Sequence, residues 1–141
     1  MGLKDLEIKR SYISCGDENI ATSFLVPALK QSILYQRSVG FFSSSVLEPI
    51  LDGVVTLARN NGKIQLIASP HLNEEDIQAI SLGYAKKEEI ARNAFDRDFL
   101  TEIEELDEVR LQVLVDLIAQ DTLDIRIAVT DTAGIYHDKL G

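Results

Sequence analysis

The order of apolar and polar positions divides the chain into short strands and helices. Between residues 20 and 34, Phe24, Leu25, Ala28, Leu29 and Leu34 fall at helical spacing, and Pro27 predicts that regular helix begins near it. Residues 37–42 (RSVGFF) form a short apolar run of the kind that makes a buried strand. Val46, Leu47, Ile50, Leu51, Val54, Val55 and Ala58 then recur every three or four positions. That spacing predicts a helix opened by a Ser45…Glu48 capping box, with Pro49 tolerated in its first turn. Asn60-Asn61-Gly62 ends it, and residues 63–68 (KIQLIA) are the next strand. Strand, helix and strand in this order predict a right-handed parallel crossover.

Residues 69–73 read as a loop, and Asn73 is placed to cap Glu74-Glu75-Asp76, an acidic first helical turn. Helical spacing continues to about residue 120, with breaks expected near Gly83 and Asp107. Residues 124–130 (DIRIAVT) alternate as a half-buried strand, residues 131–134 form a hairpin turn, and residues 135–139 form a last strand. Residues 11–15 alternate weakly, as a short edge strand would. The fold class is α/β in a single domain, with a helical insert over about 74–121.

Charge changes the picture of that insert. The chain has 141 residues and a net charge of −9. Residues 71–123 carry five basic and fourteen acidic side chains, whereas residues 1–70 carry seven and six. The excess acid therefore sits in the insert, and the remainder is close to neutral and compatible with a polyanion. No apolar run is long enough to span a membrane, and the charged N-terminus lacks the apolar core of a secretory signal. The single cysteine, Cys15, fits a reduced compartment and excludes a cysteine zinc site. A cytoplasmic protein without metal or other cofactor is the expectation.

Candidate chemistry concentrates in two places. His137 and Lys139 lie two apart on the last strand, so both side chains leave the same face. An imidazole there can attack phosphorus while an ammonium neutralises the phosphate oxygens. The plainer reading is a half-buried histidine beside a solvated lysine. Ser43-Ser44-Ser45 follow a strand directly and precede a helix, a position where backbone N–H groups and hydroxyls can hold phosphate. The plainer reading is that they only cap the helix. The sequence has no G-x-x-x-x-G-K-[ST] phosphate loop and no G-x-S-x-G elbow. His71 reads as a loop histidine, and Glu102, Glu104, Glu105, Asp107 and Glu108 as a solvated helical face.

These features together resemble the phospholipase D-like superfamily. More closely, they resemble the phospholipase D-like domain at the N-terminus of certain bacterial DEAD/DEAH-box helicases and restriction-associated proteins. The resemblance rests on residues 35–45 (YQRSVGFFSSS), 62–70 (GKIQLIASP), 74–77 (EEDI), Gly83-Tyr84, 123–125 (LDI) and 134–141 (GIYHDKLG), and it covers residues 20–141. It implies a mixed sheet flanked by helices. It also implies a metal-independent phosphodiesterase, nuclease-like, in which His137 forms a phosphohistidine and Lys139 holds the phosphate. The implied partner is nucleic acid, DNA in particular, with no role for a membrane. The family signature continues with an Asp that would fall at position 144, past the last residue. The expectation is therefore a piece of a longer protein with helicase domains downstream, inactive when isolated. Family sites combine two such motifs, from one chain or across a homodimer. The alternative is a non-catalytic nucleic-acid-binding or dimerisation module.

Overall fold

The computed structural model describes residues 2–13, 19–93 and 108–129. Within them the chain is mixed α/β, with an open sheet of three parallel strands, β1 (Leu34–Val39), β2 (Lys63–Ala68) and β3 (Leu123–Ile127), in that order. The helices are α1 (Val26–Lys30), α2 (Leu47–Arg59), α3 (Glu74–Asn93) and α4 (Val109–Ala119). The expected hairpin at 131–134 and strand at 135–139 lie outside the described residues. Residues 11–13 of the expected N-terminal edge strand are not in a strand, and the rest of it, including Cys15, also lies outside.

Pro27 sits in the first turn of α1, where its missing N–H costs nothing, and a π-helical turn, Ala21–Leu25, leads into it. β1 begins and ends three residues earlier than the apolar run suggested. Its pairing with β2 runs from Leu34 opposite Lys63 to Val39 opposite Ala68. An edge strand needs only alternate side chains on the core, and Tyr35, Arg37 and Val39 supply them. The chain turns at Gly40, so Phe42 enters the core while Phe41 stays 63% exposed.

The sheet buries one face. Ile64, Leu66, Ala68, Leu123 and Ile125 pack with Leu47, Ile50, Val54 and Leu57 of α2 and with Leu114, Val115 and Ile118 of α4. The helices form one connected layer, α1 on α2, α2 touching α4, and α3 along α4. The opposite face carries exposed Leu34, Gln36, Lys63, Gln65, Ile67 and Arg126, with a Gln36–Gln65 amide bond of 2.7 Å between strands.

Both helix-to-strand junctions are built alike. Asn61 (φ 56°) and Asp121 (φ 61°) adopt the left-handed conformation just past α2 and α4. The next amide, from Gly62 or Thr122, reaches back to the carbonyl of Leu57 or Leu117 at 2.9 Å in each case. The Asp121 carboxylate also takes Lys87 (2.7 Å) and Lys63 (3.1 Å). These bonds, Lys87's foremost, hold its carboxyl below the usual range.

The segment expected as an insert belongs to this core. β2 and β3 are parallel neighbours, and α3 and α4 form the connection between them. The two helices run in the same direction. Asp76 faces Arg110 at one end, Gly83 meets Ile118 midway, and Lys87 pairs with Asp121 at the other. The break expected at Gly83 does not occur. A Cβ there would lie 2.8 Å from the Ile118 Cβ and 3.2 Å from the Val115 carbonyl, so glycine is what lets the helices approach. In an exposed helix Gly→Ala would gain about 1 kcal/mol. Here overpacking against a branched Cβ and a backbone oxygen outweighs that, and Gly83→Ala is expected to cost roughly 1–2 kcal/mol net in urea unfolding.

A side chain of α3 bonds the main chain of β3. The Tyr84 hydroxyl on α3 accepts the Ile125 N–H (2.9 Å) and donates to Asp124 Oδ1 (2.7 Å), with the Ile125 carbonyl 3.2 Å away. It thereby occupies main-chain groups of β3, the outer strand among the described residues. Burial first, then its bond to Asp124, pushes the Tyr84 hydroxyl above its ordinary value, and the same bond holds the Asp124 carboxyl low. A raised folded-state value means that the stabilisation is complete below about pH 10 and is lost as pH rises further. Tyr84→Phe is expected to cost about 1–3 kcal/mol, because it strands the N–H of the buried Ile125, and to flatten the decline of unfolding free energy above pH 10.

Candidate functional site at the carboxyl edge of the sheet

Parallel strands place their carboxyl ends on one side, and three loops leave from there. The loop after β1 holds Ser43-Ser44-Ser45, the loop after β2 holds His71 and Asn73, and Ala128 and Val129 follow β3. His137 and Lys139 come ten and twelve residues after the end of β3, outside the described residues.

The serines do different work. Ser43, not Ser45, is the cap: its Oγ accepts the Ser45 N–H (3.4 Å), and a 3-10 turn, Ser44–Val46, leads into α2. Glu48 is an exposed residue of the first α2 turn, so the expected Ser45–Glu48 box is not the device used. Ser43 and Ser45 hydroxyls bond each other at 2.9 Å, with Ser45 exposed and Ser43 half-buried. Ser44 is fully buried. Its N–H donates to Asp76 Oδ2 (3.0 Å), and its Oγ accepts from Arg110 Nη1. The amide, carbonyl and hydroxyl of Ser44 are therefore committed inside the fold, and Ser43 and Ser45 are the hydroxyls left near the surface.

The partners of Ser44 come from the first turns of α3 and α4. Asn73 caps α3 as its position predicted, with Oδ1 accepting the Asp76 N–H at 2.8 Å. Arg110 joins Glu75 (2.8 Å) and Glu108 (2.7 Å) and lies 3.6 Å from Asp76 Oδ1. Its bond to Glu75, then that to Glu108, raises the guanidinium further above its usual value. Nothing in the sequence marked this cluster, because Arg110 is 34 residues from Asp76 and sits in a block that reads as solvated charge. Beside it, the His71 N–H donates to the Oγ of buried Ser69 (3.3 Å), and its ring lies 6.4 Å from that of Phe41.

A cleft of about 190 Å³ opens next to the serines, between β1 and the start of α2. Tyr35, Arg37, Phe41, Ser43 and Val46 line it together with core aliphatics. A wider groove continues from it past Phe24, Leu25 and Ala28. Among the described residues, no group of three or more His, Cys, Asp or Glu side chains is placed to hold a metal ion, and no helix is long and apolar enough to cross a membrane. Compared with family models, curated proteins and solved structures, the chain gives no significant match.

Proposed function

We propose that the chain is a phospholipase D-like phosphodiesterase domain acting on nucleic acid, DNA in particular, within a helicase or restriction-type protein of the cytoplasm. The observation that carries this reading is the parallel α/β sheet whose carboxyl edge gathers the Ser43–Ser45 loop and emits, from β3, the segment bearing His137 and Lys139. In this chemistry an imidazole nitrogen of His137 bonds to phosphorus as the bond from phosphorus to the departing alkoxide breaks, and the alkoxide takes a proton from water. Water then cleaves the phosphohistidine and restores the imidazole. Lys139, with the hydroxyls of Ser43 and Ser45, offsets the charge on the phosphoryl oxygens. A homodimer would supply a second copy of the motif.

The test is cleavage of plasmid and single-stranded DNA in excess EDTA, with His137→Ala in parallel. Chelator-resistant cleavage lost in the variant supports the reading. Cleavage unaffected by the variant overturns it, and absence of cleavage by the isolated chain, which the incomplete signature leads one to expect, overturns only a self-sufficient nuclease. A second reading, a non-catalytic nucleic-acid-binding or dimerisation module, is favoured by the full engagement of Ser44 by Asp76 and Arg110. It requires DNA binding that weakens steeply with salt and no turnover.

A further inference from the structure

We propose that the cleft beside β1 binds a small amphiphilic anion, an apolar body ending in one carboxylate or phosphate group. The floor and walls are aliphatic, with Leu47, Ile50 and Val54 from α2 and Ile64, Leu66 and Leu123 from the sheet. The cleft offers about 190 Å³ of space against these core aliphatics. An apolar cavity of about 150 Å³ takes up benzene, so this one accommodates a body of roughly six to eight carbons.

The polar end is defined by charge. Among the described lining residues Arg37 is the one charged side chain, and no carboxylate accompanies it, in a chain of net charge −9. Among the described residues its hydrogen bond is to the Tyr35 hydroxyl at 3.4 Å, a long bond that uses one of its five donors. Arg110, by contrast, is saturated by Glu75, Glu108 and Ser44. A half-buried guanidinium in the lining of an apolar cleft, with the Tyr35 hydroxyl beside it and the Ser43 hydroxyl in the same lining, fits a carboxylate or a phosphate monoester. This site shares only Ser43 with the phosphodiesterase reading and does not depend on His137 or Lys139.

The test titrates the whole chain with sodium octanoate, octyl phosphate and octanol, followed by amide NMR shifts and calorimetry. Octanoate or octyl phosphate is expected to bind saturably, shifting Arg37, Leu47 and Ile50, and octanol to bind far more weakly. Whichever anion binds more tightly identifies the head group. Arg37→Gln is expected to weaken anion binding roughly 10–100-fold without changing octanol binding or the circular dichroism spectrum. Two results overturn the proposal. One is no saturable anion binding to the unaltered chain. The other is equal affinity for octanoate and octanol that Arg37→Gln leaves alone.

Discussion

In a protein carrying this chain that cleaves DNA in the presence of chelator, replacing His137 by alanine is expected to lower that cleavage by roughly 10⁴-fold or more, to the level of the buffer alone. The size follows from the role. A phosphohistidine pathway has no substitute nucleophile once the imidazole is gone, whereas a general base can be partly replaced by water. Loss of Lys139 removes charge stabilisation rather than the bond-forming atom, so Lys139→Ala is expected to leave more residual activity than His137→Ala. The order of the two variants is therefore diagnostic. A histidine acting only as a base would show the smaller loss, and trapping of an acid-labile phosphoryl adduct on the unaltered chain would identify the covalent step directly.

The largest expected effect on stability comes from Asp76→Ala, at about 2–4 kcal/mol. Asp76 is fully buried and accepts the amide of equally buried Ser44. Alanine leaves that N–H without an acceptor and without water. It also removes the carboxylate against which Arg110 is placed, and the second oxygen, Oδ1, has only that guanidinium at 3.6 Å among the described residues. Asp76→Asn keeps an acceptor for Ser44 and is expected to lose about half as much. Urea midpoints of the two variants separate the contributions. Equal losses would assign the effect to charge, and no loss in either would contradict the account. One carboxylate thus pins the start of α2 to the starts of α3 and α4, and with them the serine loop of the candidate site.

How much of this was legible in the sequence depended on whether the cause was local. β2 was read to the residue because its alternation is strict, Ile64, Leu66 and Ala68 inward and the rest outward. Asn73 and the Asn60-Asn61-Gly62 stop were legible because capping is decided within a turn. β1 was displaced because Val39, Phe41 and Phe42 drew the strand toward themselves, whereas pairing with β2 chose Leu34–Val39. Gly83 looked like a break because its role lies in Ile118 and Val115, 30 or more positions away. Ser44 looked like a phosphate ligand because its partners, Asp76 and Arg110, belong to a block whose charges are mostly solvated. Long-range partnerships of this kind leave no periodic trace.

The topology also sets an order of assembly. β1 and β2 are joined by a short connection through α2, whereas β2 reaches β3 across about twice as many residues. Doubling a closed loop adds only about 0.6 kcal/mol of entropy, but that cost falls on the folding barrier before any contact repays it. The β1–α2–β2 unit, locked by the Asn61 turn, is thus the natural nucleus. β3, which packs with α4, is expected to join later, together with the Tyr84 bonds to its main chain. On this schedule substitutions at Ile64 or Val54 slow folding, whereas those at Tyr84 chiefly hasten unfolding.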